Sequence, residues 1–131
     1  MNWASLLASF FVAHLVGDYL LQTDWQARNK HGGLGGDRTA RRALVTHVAT
    51  YTLAFVPAAI WIGSEVGAGW AVGALALVAL PHLVVDDGRI VGFYLLHVKG
   101  AKAIDPGLAA SVDQAFHALS LSIVALLVGS V

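Results

Sequence analysis

The sequence predicts an all-α protein, an integral membrane bundle of four transmembrane helices. Three observations carry that expectation. Of the 131 residues, 57% are hydrophobic and 12% charged, about half the charge of an ordinary soluble domain. A chain this small, with mean hydropathy +0.70, has too few polar side chains to cover its surface in water. Four apolar runs, at about residues 3–21, 43–62, 68–85 and 106–129 of what reads as one domain, are each long enough for a hydrocarbon core of about 30 Å. Within them ionisable residues recur at helical spacing: His14 with Asp18, His82 with Asp86, Asp113 with His117, and His47 in the remaining run. A spacing of four puts both members of a pair on one helix face.

Composition also excludes function classes. The formal net charge is zero, and no basic stripe interleaves with aromatics, so nucleic acid is not expected as a partner. Cysteine is absent, which removes disulfides and thiolate ligands. Any metal must be held by nitrogen and oxygen.

The first span, about residues 3–21, has no Lys or Arg before it and no small-residue cleavage site, so it reads as a retained helix and not a signal peptide. Gln22 continues the His14/Asp18 face, and Tyr19 and Trp25 suit the membrane interface. The connector through Thr39 carries Arg28, Lys30, Arg38 and the patch His31-Gly32-Gly33-Leu34-Gly35-Gly36. That patch lacks the Lys-Ser/Thr ending of a phosphate loop and reads as a flexible linker. Arg41 and Arg42 introduce the second span, with His47 about one turn inside, and Pro57 should kink its far half. A turn from Gly63 to Gly67, with Glu65, leads to the third span. There Gly69 and Gly73 offer a small-residue face for close packing, and Pro81 should bend the helix beside His82. Asp86-Asp87-Gly88-Arg89 ends this span. The run Ile90–Val98 is too short for a crossing and reads as a helical extension or an interfacial segment. Asp105-Pro106 starts the fourth span, with Asp as N-cap and Pro in the first helical position.

Lys and Arg fall in the connector between spans one and two and in the loop after span three (Arg89, Lys99, Lys102). The positive-inside rule then places these connectors in the cytoplasm and both termini outside, in a cell inner membrane. With that topology Asp18, His47, Asp86 and Asp113 all lie within about two turns of the cytoplasmic helix ends, and His14, His82 and His117 share that half.

Ionisable groups in hydrocarbon are expensive and call for an explanation. One is a divalent metal site built from His14, Asp18, His47, His82, Asp86, Asp113 and His117. Imidazole and carboxylate suit zinc first, then iron, manganese or nickel. Seven candidates exceed the four of a closed zinc site, so one ion with a supporting carboxylate shell and two ions are both expected arrangements. Asp86 or Asp87, nearest the water boundary, would act as general base, and Arg89 would hold a phosphate or anionic headgroup. The rival explanation is three independent His–Asp ion pairs; a metal site requires one shared cluster. His31 and His97, in connectors, read as solvated.

The pattern His14-xxx-Asp18-Tyr19-xx-Gln22-Thr23-x-Trp25-x-Ala27-xx-Lys30, a His early in the second span and His82-xxx-Asp86 resembles a small membrane family of bacteria and phages known as domain of unknown function 3307. The likeness covers essentially the whole chain and implies the four-span fold. More distantly the chain resembles membrane-embedded metal-dependent hydrolases that also carry His and Asp in their helices. The expected function is a metal-dependent hydrolase acting on a lipid-like or anionic amphiphile at the cytoplasmic face, with membrane lipid as partner and a homo-oligomer compatible with the small-residue face. The alternatives are a metal-ion or proton transporter or channel subunit, a bis-His haem protein using His47 and His117, and a non-catalytic partner subunit whose pairs lock helix register.

Overall fold

The computed structural model describes residues 1–131 and contains helices and no strand. Helix α1 (Trp3–Leu15) is capped by the Asn2 side chain, which accepts from Ala4 N–H, and runs on through a π-helical turn at Val16–Leu21. Together they make one candidate span of 19 residues.

The first connector differs from the flexible linker expected of its glycines. It contains a helix, α2 (Asp24–Asn29), started by a capping box in which Thr23 and Gln26 satisfy each other's backbone N–H. The glycine turn after it is pinned: Gly32 N–H donates to the Asp87 carbonyl, and Leu34 N–H to Asp87 Oδ1. Backbone donors in the turn have found fixed acceptors, so the segment is structured despite its composition.

Helix α3 (Arg38–Ala54) begins earlier than expected because Asp37 caps it, accepting from Thr39 and Ala40 N–H. Pro57 lies in the first turn of a separate helix, α4 (Val56–Val66), and the two meet at a bend of 51° at Phe55. A proline in a first helical turn removes no intrahelical bond, so the bend expected of this span falls at the break just before Pro57 and not inside a continuous helix. Helix α5 (Ala68–Asp86) runs through Pro81 without a break. Gly88 then turns the chain at φ 82°, a region open chiefly to glycine, so the next segment is a separate short helix, α6 (Arg89–Phe93), ending in a π-helical turn at Tyr94–Val98. Helix α7 (Pro106–Gly129) starts at Asp105, which accepts from Leu108 N–H.

Three helices, Trp3–Leu21, Ala68–Asp86 and Pro106–Gly129, are long and apolar enough to cross a membrane, and the bent pair α3–α4 makes a fourth. They close a ring: α5 packs on α3, α4 and α7, while α1 packs on α7 and reaches α3 and α4. The closest approach is not at Gly69 and Gly73, where an added Cβ would meet nothing. It is at Gly17, where a Cβ would lie 2.5 Å from Tyr51 Cδ2. The end of the first span therefore sits directly against α3.

Inside the ring the interior divides by depth. One half is a continuous apolar core that includes Leu6, Phe10, Phe55, Ile62, Val78, Leu121 and Val124. The other half, toward the basic connectors, holds the ionisable side chains. A smaller apolar cluster of Val85, Val91, Leu95 and Val112 seats α6 against α5 and α7.

Candidate metal centre

The i,i+4 spacing places each pair as helical geometry requires. His14 Nδ1 lies 3.5 Å from Asp18, His82 Nε2 3.3 Å from Asp86, and His117 Nδ1 3.4 Å from Asp113. The pairs are not independent, because they also meet across helices. His47 Nε2 is 2.8 Å from Asp86 Oδ2 and 3.3 Å from Asp18 Oδ1. His82 Nε2 is 3.5 Å from the same Asp18 oxygen. The two Nε2 atoms, His47 and His82, are 3.0 Å apart.

These contacts are five of the six edges of a tetrahedron whose corners are His47 Nε2, His82 Nε2, Asp18 Oδ1 and Asp86 Oδ2, and they run from 2.8 to 3.5 Å. A tetrahedral zinc with ligands at about 2.0–2.1 Å requires edges of about 3.3–3.4 Å. All four ligand atoms lie within 4.8 Å of one another. The residues are closed to solvent: the three buried ones, His47, His82 and Asp86, have side chains no more than 1% exposed, and Asp18 is at 8%.

Asp86, Asp113 and His117 form a second group of potential ligands. His117 Nδ1 lies 2.9 Å from the Asp113 carbonyl oxygen, which can only accept, so Nδ1 carries the proton. In the neutral ring that leaves a lone pair on Nε2, which faces Asp86 Oδ1 at 3.4 Å. Both atoms are buried and neither has a hydrogen-bond partner, and Asp18 Oδ1 is in the same position. Buried acceptors directed at one another are costly unless a proton or a metal cation lies between them. The donor set and these orphaned acceptors fit a divalent ion. Asp86 is shared by the two groups, with Oδ2 in the first and Oδ1 toward His117.

His14 is the sequence candidate that joins neither group. Gln114 Nε2 donates to Asp113 Oδ2, so its Oε1 faces His14 Nε2 at 3.0 Å and accepts from it. His14 Nδ1 is then the acceptor for the Tyr51 hydroxyl at 3.1 Å. With both nitrogens used, His14 supports the cluster from beside Asp18.

Asp87 and Arg89, expected to act on a substrate, are placed outside the cluster. Asp87 is buried, but its oxygens take the Leu34 N–H and the Arg89 guanidinium. Burial alone would raise this carboxyl; the Arg89 and Leu34 bonds outweigh it and hold it below its ordinary value. Asp87 fastens the glycine turn to the end of α5.

Other residues bear directly on the cluster. Lys30, at the end of α2, places Nζ 2.6 Å from Asp86 Oδ2. Gln22 Nε2 lies 3.0 Å from His47 Nε2. The Tyr51 ring stacks on His82 with centroids 3.4 Å apart and planes within 5°, fixing the imidazole. Gln22 and Tyr51 had a signal, each one turn along the face of a sequence candidate, whereas Lys30 reaches Asp86 only because α2 folds back over the helix ends.

The chain matches the family described as "Protein of unknown function (DUF3307)" over residues 6–131, and it belongs to that family. No curated protein and no solved structure matches it.

Proposed function

We propose that this protein is a membrane-embedded, metal-dependent hydrolase acting on an anionic amphiphile at the cytoplasmic side of the bilayer. One observation carries the reading: four buried ligand atoms from α3, α5 and the π-helical turn stand at tetrahedral spacing, with Asp86 bridging to a second His/Asp group. Asp18, His47, His82 and Asp86 would hold the ion. Such an ion supplies Lewis acidity and a nucleophile from water near neutral pH. Zinc suits the four-ligand set best.

The rest is the work of the chain's own side chains. Asp113 is 27% exposed and pairs with buried His117, so this couple can take a proton from water at the site and pass it outward. Lys30 brings a positive charge to the same opening, where it can face a phosphate or carboxylate. The basic connectors support a cytoplasmic placement of this end, with membrane lipid as the substrate's source.

Transport through the cluster would need a polar path to the far side, and the far half of the interior is filled by apolar side chains. Haem would need a slot between its axial histidines; here the His47 and His82 rings, and the His82 and His117 rings, are packed at 5.1 and 4.4 Å between centroids.

The test uses the purified chain in micelles containing phosphatidic acid or a fatty acyl ester, with zinc present. Expected is release of phosphate or fatty acid that a chelator stops and Asp18→Asn abolishes, with no ion gradient needed. Metal-loaded protein that hydrolyses neither substrate, but moves zinc into sealed liposomes, would overturn the reading in favour of a transporter.

A further inference from the structure

Lys30 belongs to two places at once. Its ammonium sits on Asp86 Oδ2 at 2.6 Å, the oxygen that also faces His47 and His82. The same side chain lines a cavity of about 400 Å³ between the α2–α3 turn, α6 and α7, together with His31, Gly88, Ile104, Ala109 and Asp113. The side chain is 12% exposed, so one end of its range is buried and the other reaches water.

A divalent ion among the four ligand atoms would lie within a few ångströms of this ammonium. Like charges at that distance in a poorly polarisable interior repel strongly, and both would compete for one carboxylate oxygen. Each therefore weakens the other's hold on Asp86 Oδ2. The flexible four-carbon stem gives the ammonium another place to go, the cavity it already lines. There it meets His31 and Asp113, whose Oδ2 already accepts from Gln114 Nε2, and the cavity leaves room beside the ammonium for a negatively charged ligand.

We infer that Lys30 is an internal counter-cation that holds the cluster closed to metal, and that an anionic phosphate group in the adjoining cavity draws it off Asp86 and so couples ligand binding to metal binding. The inference rests on the metal-centre reading above. Two consequences are fixed by linkage. Removing the charge at Lys30 tightens metal binding, and the phosphate ligand and the metal raise each other's affinity by one common factor. Phosphate can come from a lipid headgroup or from solution, and the experiment separates them.

Zinc affinity is measured by competition with a chromophoric chelator for wild type, Lys30→Met and Lys30→Arg in nanodiscs. The discs carry neutral lipid alone, neutral lipid with inorganic phosphate in the buffer, or a share of phosphatidic acid. Expected is tenfold or tighter binding in Lys30→Met, near wild-type affinity in Lys30→Arg, and a phosphate-dependent gain in wild type of at least fivefold that Lys30→Met lacks. Phosphate chelates free zinc equally for every variant, so the comparison between variants carries the result. A gain only with phosphatidic acid identifies the headgroup as the ligand; a gain only with inorganic phosphate identifies a soluble one. Equal zinc affinity in wild type and Lys30→Met overturns the counter-cation role. Tighter binding in Lys30→Met with no gain from either phosphate source overturns the coupling. Absence of zinc binding in all three proteins contradicts the metal-centre reading itself. If Lys30→Met does not fold, the phosphate dependence of wild type and its reciprocal, zinc-dependent retention of labelled phosphate, still decide the coupling.

Discussion

The two halves of the bundle interior are built on the same stripes and do opposite things. Leu6 and Phe10 on α1 continue, four residues at a time, into His14 and Asp18. Ala74 and Val78 on α5 continue into His82 and Asp86, and on α7 Ala125 and Leu121 continue into His117 and Asp113. Helix α3 makes the change between Phe55 and His47, with Tyr51 at the boundary. The apolar half holds the helices by close packing, the main attraction available between apolar helices in lipid. The ionisable half works against insertion and gains only if something neutralises it. A fold needing four packed helices would be served by continuing the apolar stripe, so the change of chemistry at one level marks the site.

Substitutions should break the two halves differently. The largest effect is expected from Asp86→Asn, which removes the carboxylate shared by His47, His82, His117 and Lys30. Zinc affinity should fall at least 100-fold while the helical content in circular dichroism is kept. In the apolar half, Phe10→Ala should instead cost about 3 kcal/mol of stability through the cavity it leaves, read as a lower melting temperature in detergent, with zinc affinity unchanged. Gly17→Ala lies at the boundary and should disturb both. Its Cβ would press Tyr51, which is stacked on His82, so a loss of about 2 kcal/mol should come with a few-fold weaker zinc binding.

The smallest effect sharpens the comparison from outside both halves. Asp87→Asn should loosen the glycine turn by about 1 kcal/mol and leave zinc affinity as it was. Because folding holds the Asp87 carboxyl below its ordinary value of 3.8, its contribution is complete above that pH and is lost as pH falls through the lower folded value. Acid unfolding of the wild type and of Asp87→Asn should therefore converge only below about pH 4. Hydrogen exchange at Gly32 and Leu34 measures the latch directly.

The stripes were legible in the sequence because helical periodicity is local. A spacing of four fixes which residues share a face, and charge placement fixes which helix ends lie together, so His47, His82, Asp86 and Asp18 could be gathered without coordinates. Three features resisted. Helix α2 hides in a polar connector where only the Thr23/Gln26 capping box signals it, and without α2 nothing brings Lys30 to Asp86. Asp87 and Arg89 stand beside the cluster in sequence, yet Gly88 turns the chain between them and the carboxylate is taken by Leu34 N–H. His14 matches the other histidines in spacing and burial; only its partners Gln114 and Tyr51, distant in the chain, set it apart.

The central claim is that the ionisable half is one metal centre. Equilibrium dialysis of the detergent-purified chain against zinc, followed by elemental analysis and run beside Asp86→Asn, tests it most directly. The account predicts at least one tightly held ion per chain in the wild type and none in the variant. A wild-type chain that takes up no divalent ion, or an Asp86→Asn chain that holds as much as the wild type, would contradict it.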